Sequence, residues 1–368
     1  MLYSANQPLT SLLDIARNIQ IESNFCIYHP NYQPFALPTK VADRFQQTPT
    51  DLQQKYLTLL LRNFLYGIYY NGSLQNTLVV NTVNSNHISK YNLEDSSISE
   101  IDWDFYKQLH ESNHGVGYFD SNWEVLRQEP DGTMAVTKGG LTLYIEPDCH
   151  LESSKKSTKA GDIVAIWMPK NRLQNGCYMA VSNVGQEQQT NPDGDLGAGR
   201  IYFNLTPSGA IALMDSLTLQ LNAASIPFSF QLLHNPCAYG RYDSGILYFE
   251  LHDYPAIRTI LQRIYPENQS HFQPEIPLFT KFLAPGLGLA EEPTQKFAAQ
   301  ESFGMNRCQI VANALLEAWH KGKNAMEERM KVINQHFTRH TIDLQRPYLN
   351  PNSQDIYIPL KLSTIEVA

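Results

Sequence analysis

The chain has 368 residues, 42% of them hydrophobic and 11% aromatic, enough for a sizeable packed core and too apolar for wholesale disorder. A formal net charge of −8 excludes a general nucleic-acid binder, which needs a basic footprint, but leaves room for a local basic pocket. Five scattered cysteines (Cys26, Cys149, Cys177, Cys237, Cys308) without CxxC spacing argue against a disulfide framework or a structural zinc site, and for a reducing compartment.

The N-terminus has no basic segment ahead of its first apolar run, and no run approaches the roughly 18 apolar residues of a membrane span. The expectation is a soluble cytoplasmic protein without membrane or nucleic-acid partners. Residues 8–22 space Leu9, Leu12, Leu13, Ile15, Ala16 and Ile19 as one helix face, with Thr10 or Ser11 as the cap. Residues 24–38 carry three prolines and read as an extended connection. A second helix is predicted over 50–70, starting at Thr50 and Asp51. Its stripe of Tyr56, Leu59, Leu60, Phe64 and Gly67 reads as core, and Tyr66, Tyr69 and Tyr70 read as burial against the next domain rather than as a pocket. Residues 73–100 are polar and rich in Asn and Ser, a surface loop or soft boundary. Domains are therefore set at 1–100, a helical region, and 101–368, an α+β core.

A short helix is predicted over 101–112 and a glycine-bearing loop over 113–123. His110 and His114 have i, i+4 spacing, but the glycines at 115 and 117 interrupt a helix and no HExxH carboxylate is present, so no metal site is assigned. From Trp123 the pattern turns to strands, with PDGT and KGG as turns and Lys138 near a tip. Residues 153–162 read as a charged loop. IVAIWMP (163–169) is a short, fully apolar run, predicted as a central strand, with Lys170 directly after it. A strand over 176–184 and a low-complexity loop over 185–199 follow. RIYFNL, PFSFQLL and GRYDSGILYFEL read as strands, and 207–222 and 253–268 as helices. Residues 284–293 read as a loop with two glycines bounded by prolines. A strong helix is predicted over 308–319, with Glu291 and Ser302 shaping the loop before it and an anion site at its N-terminus. One more helix and a loose tail complete the chain. The fold class is α+β: a helical N-terminal region packed on a mixed, mainly antiparallel β-sheet core with C-terminal helices.

No GxGxxG, P-loop, GxSxG, HExxH or kinase motif occurs. What remains is a constellation of Lys138, Lys170, Arg200, Arg241, Asp243, His271, Lys281 and Arg307. Arginines where strands and helices begin can aim their forks into a shared cleft, where they suit a phosphate. A lysine held among cations has its pKa pushed down and can act as a base, and a histidine can protonate a leaving oxygen. Such a set eliminates phosphate without a metal or other cofactor.

The blocks RIYFNLTPSGA, PFSFQLLHNPCAYGRYDSGILYF and FTKFLAPGLGLAEEPTQKFAAQESFGMNRCQI resemble the HopA family, named for a type III secretion effector of plant pathogens, and are most similar to its cyanobacterial members. The resemblance also takes in RNFLYGIYYNGSL and WEVLRQEPDGTMAVTKGGLTL, nearly the whole chain. It implies an α+β fold. HopA-type domains also occur in class V lanthipeptide and thioamitide pathways, where they work beside a kinase-like partner and are taken to eliminate phosphate from phosphoserine or phosphothreonine. By that resemblance Arg200, Arg241 and Arg307 bind the phosphate and Asp243 orients an arginine, and Lys281 joins them as a phosphate-binding candidate from the basic constellation. Lys138 or Lys170 is the candidate base and His271 the candidate acid, both assigned by placement. The competing expectations are a non-catalytic phosphopeptide or leader-peptide binder that serves a kinase-like enzyme, and an effector acting through protein interaction alone. The short signature of the effector lyases is absent.

Overall fold

The computed structural model describes residues 7–22, 25–79, 101–152, 158–174, 176–185 and 197–362. Residues 80–100 of the loop expected over 73–100, residues 186–196 of the loop expected over 185–199, residues 153–157 of the charged loop and residues 363–368 of the tail lie outside the described residues.

The N-terminal third is not purely helical. Helix α1 (Gln7–Asn18) leads into a three-stranded antiparallel sheet of β1 (Gln20–Glu22), β2 (Cys26–His29) and β3 (Tyr32–Ala36). The proline-bearing stretch expected as a connection therefore pairs as strands. Helix α2 (Thr39–Gln46) and helix α3 (Thr50–Leu65) follow, and α3 runs into a π-helical turn, Tyr66–Tyr70, before the short α4 (Gln75–Leu78). Such π turns recur at functional sites because they re-aim side chains within a continuous helix. Helix α5 (Trp103–Ser112) is capped by Asp102, whose carboxylate accepts from the Phe105 amide at 2.9 Å.

A four-stranded antiparallel sheet comes next, formed by β4 (Tyr118–Gln128), β5 (Met134–Lys138), β6 (Leu141–Ile145) and, after the short α6 (Pro147–His150), β7 (Ile163–Met168). Its order is β6-β5-β4-β7, so β7 is an edge strand rather than a central one. Its apolarity has a different cause. Val164 and Ile166 point into a small core with Trp123, Val125 and Val136, while Trp167 packs on Phe119 across the outer face.

The main sheet has seven strands in the order β13-β14-β10-β12-β11-β9-β8 and every pairing is antiparallel. Its strands are β8 (Asn171–Gln174), β9 (Cys177–Val181), β10 (Ala198–Phe203), β11 (Ser229–Leu233), β12 (Gly245–Glu250), β13 (Lys281–Ala284) and β14 (Leu287–Glu291). The last two form a hairpin over the stretch expected as a loop. Gly286 at its turn takes φ +71 and sits so close to the Gln273 carbonyl that a Cβ would lie 2.3 Å from it. Helices α7 (Pro207–Ala223) and α8 (Tyr254–Asn268) cover one face of the sheet, and α3, its π turn and α9 (Phe303–His320) cover part of the other. Helix α10 (Met326–Arg339) packs on α9 and α1. The result is a layered α+β structure, as expected from the sequence. Among the described residues no helix is long and apolar enough to cross a membrane.

Candidate functional site

Side chains alternate across a strand, so register decides which residues share a face. Arg200 lies opposite Tyr248, Tyr202 opposite Ile246, and Gln231 opposite both Ile246 and Met179. The neighbouring set, Ile201, Phe203, Leu247, Phe249, Phe230 and Leu232, faces the other way and is fully buried. One face of the sheet is thus an apolar floor for α7 and α8. The other carries an arginine, phenols and an amide, and α3 and α9 cover it only in part.

On this open face a ring of contacts closes. Arg200 stacks over the Tyr248 ring at 4.8 Å and pairs with Glu292, which Lys296 also reaches at 2.6 Å. The Tyr248 hydroxyl donates to Gln231 at 2.8 Å, and Gln231 donates to the Cys177 thiol at 2.8 Å. Arg241, just before β12, grips both oxygens of Asp243. Asp243 also accepts from the Tyr66 hydroxyl at 3.3 Å and from Asn71 at 3.4 Å. Tyr66 stacks on Tyr70 at 4.9 Å, and Tyr70 meets Tyr202 edge-on at 6.3 Å. Tyr202 returns to Arg200, two residues back on β10. Its buried hydroxyl lies beside the Tyr70 phenol and meets no partner of good hydrogen-bond geometry.

The π turn explains the phenols. It places Tyr66 and Tyr70 together over the sheet, with the Tyr242 amide donating to the Asn71 carbonyl at 2.9 Å to lock the turn to the Arg241 loop. One turn earlier on the same helix, Arg62 makes only long bonds of 3.4 Å, to Asn63 and to Gln309 of α9. No carboxylate lies within ion-pair distance of it among the described residues. Burial lowers its pKa, with Glu301 opposing.

The electrostatics are those of a recessed but wet site. Burial alone would lower the Arg200 pKa, yet the phenols of Tyr202 and Tyr248 and the Glu292 carboxylate hold it raised. Arg241 behaves likewise, with Asp243 outweighing burial. Burial pushes up the phenols of Tyr66 and Tyr248 and the thiol of Cys177. The phenols are therefore protonated donors near neutrality.

Of the eight residues singled out from sequence, three meet here: Arg200, Arg241 and Asp243. Arg307 stands behind the ring. Its guanidinium is 1% exposed and donates to the carbonyls of Pro347 at 2.8 Å and Leu349 at 3.1 Å and to Asn306 at 2.6 Å. Burial lowers its pKa to about 10. Hidden in this way, it fixes the chain at 347–349 rather than facing a ligand. The expected anion site at the N-terminus of α9 is likewise filled by the protein, since Ser302 caps it and the first turn is buried. Lys138 belongs to the four-stranded sheet, where its ammonium holds Asp120 at 2.8 Å and the Ser121 carbonyl at 2.7 Å. Lys170 caps the C-terminus of α5, donating to the carbonyls of His110 and Asn113 at 2.9 and 2.8 Å. Burial lowers its pKa. His271 ends a turn beside α7, where its carbonyl accepts from Thr206 at 3.0 Å. Lys281 leaves the sheet on the face away from Arg200, because it lies opposite Leu289 and Leu289 opposite Ile201. Sequence reasoning missed Arg62, Tyr66, Gln231 and Tyr248. The signal for Tyr66 was the run of tyrosines ending α3; for the other three only register and packing reveal the placement.

Residues 168–349 match the HopA1 effector protein family. Solved structures of two effector proteins are among those similar to the chain. The effector protein from Pseudomonas syringae pv. tomato strain DC3000 gives a TM-score of 0.40 at 16% identity, covering 68% of this chain and 81% of that one. The effector protein from Pseudomonas syringae pv. syringae strain 61 gives 0.44 at 12% identity, covering 95% of this chain and 99% of that one. No curated protein matches the chain.

Proposed function

We propose, from the match of residues 168–349 to the HopA1 effector protein family, that the open sheet face binds a phosphorylated serine or threonine of a peptide and serves the elimination of its phosphate. The observation that carries this reading is the pair of solvent-reached guanidiniums, Arg200 and Arg241, on one polar face. Each is oriented by a carboxylate, and phenol donors lie between them. Glu292 and Asp243 fix the forks through their Nε edges and leave outer N–H groups for phosphate oxygens. In the elimination a base takes the Cα proton, the Cα–Cβ double bond forms, and the Cβ–O bond breaks with its electrons leaving on phosphate. The guanidiniums stabilise that charge, and Tyr66 or Tyr248 can donate to a departing oxygen only by turning its single O–H away from Asp243 or Gln231.

A second reading, binding without elimination, is favoured by the commitments of the two lysines. Lys138 and Lys170 are spent on other elements, so neither supplies a base on this face. Mass spectrometry of a phosphothreonine peptide incubated with the protein separates the two. Loss of phosphoric acid that disappears in Arg200→Ala and Arg241→Lys supports the lyase. An unchanged peptide that still binds in an Arg200-dependent manner supports the binder. Binding indifferent to both arginines would sink both readings.

A further inference from the structure

Beside the edge strand β13 lies a cavity of about 490 Å³. It is bounded by residues 276–282, residues 345–348, Asp355, Pro359 and Pro8. That volume falls in the range of small-molecule sites, which pair apolar walls with a few convergent polar groups. Both features are present. Ile276, Leu278, Phe282, Pro347, Pro359 and Pro8 form rigid apolar walls. At one end Lys281 Nζ donates to the Tyr348 hydroxyl and to Asp355 Oδ2, both at 3.0 Å, and the Tyr348 hydroxyl donates to the same carboxylate oxygen at 2.6 Å.

An ammonium has three donors and these contacts use two. The Lys281 side chain is 24% exposed and lines the cavity, so its third N–H is available to a ligand. Arg346 lies on the rim with its Nε on Asp343 at 3.0 Å. Both cations are paired, Arg346 with Asp343 and Lys281 with Asp355, so the preference for an anionic group rests on the remaining N–H of Lys281. The wall also contains Phe279, a non-glycine residue at φ +74, and its neighbour Leu278 donates its amide to the Tyr70 carbonyl at 3.1 Å. Left-handed backbone at a bulky residue is costly and persists only where the surroundings enforce it.

We propose that this cavity binds a small amphipathic carboxylate, with an aromatic or branched apolar body against the proline-rich walls and the carboxylate on Lys281. A free arylalkanoate and the C-terminus of a peptide ending in an apolar residue share this chemistry. Calorimetric titration of the full chain with phenylbutyrate, phenylbutanol, and acetyl-Gly-Gly-Phe as free acid and as amide tests it. Saturable binding of at least one acid is expected, about tenfold tighter than its uncharged counterpart and about tenfold weaker in Lys281→Met. The acid that binds identifies the source. Pro8→Trp, at a half-buried lining position, should abolish binding while the far-UV spectrum stays unchanged, and it decides the matter should Lys281→Met fail to fold. No saturable heat from either acid at about 10 mM overturns the proposal. So does equal affinity for acid and neutral counterpart, or indifference to Pro8→Trp.

Discussion

Arg241 and Asp243 depend on each other unequally. Asp243 is 3% exposed at its side chain, and without Arg241 it keeps only the long contacts from Tyr66 and Asn71. A buried carboxylate that loses its cation is penalised far more than an exposed one. Arg241→Ala should therefore lower unfolding stability by about 2–4 kcal/mol in urea titration, and adding Asp243→Asn should return most of that loss. Arg307 poses the same problem with the sign reversed. It is a buried cation whose partners are backbone carbonyls, so Arg307→Met strands those acceptors and frees residues 347–349. About 2–4 kcal/mol of lost stability is expected, with limited proteolysis opening first between residues 343 and 361.

At the scale of elements, the π turn and α9 are fitted to each other through one glycine. A Cβ on Gly304 would lie 2.3 Å from the Tyr70 ring. Gly304→Ala must push that ring off its stack with Tyr66. We expect a cost of about 1–3 kcal/mol by calorimetry together with weaker phosphopeptide binding, whereas Gly322→Ala, at the open end of the same helix, leaves binding unchanged. This junction also shows what the sequence disclosed and what it hid. Helices α1, α3, α7 and α8 were legible because their apolar periods are long and their starts carry caps or prolines. Helix α9 was read as starting at Cys308 although it begins at Phe303, since glycine and asparagine in FGMNR resemble a loop when their burial is unknown. The β13–β14 hairpin was obscured by its glycines, which are required there by close approach of backbone and side chain. Arg200, Arg241 and Asp243 were legible because they are charged residues within or just before strongly apolar strands. Tyr66 and Tyr248 were not, because an aromatic stripe reads as core until the register shows that one side of it is open.

Across the whole molecule, burial lowers the pKa of His29, His110, His234 and His340 below the ordinary 6.5. These imidazoles stay neutral in the fold, while the unfolded chain takes up protons first as pH falls. The unfolded state then binds more protons than the folded one, so stability falls with pH. The melting temperature should be level above about pH 7 and decline towards about pH 5, with a shallower slope in His234→Gln. Glu317, held low by hydrogen bonds from Arg339, Lys321 and His336, adds a further loss only in more acid solution.

Helix α1 is tied to α10 by Arg329, whose guanidinium donates to the Ile19 carbonyl across 310 residues of chain. A ribosome adding about 5–20 residues per second needs about 15 to 60 s to cover that distance. For that interval the face of α1 that α10 will cover waits bare, with Leu12, Ile15 and Ala16 behind it. Helix α1 is made well before its cover, so the nascent chain carries an apolar surface for holdase chaperones until α10 emerges.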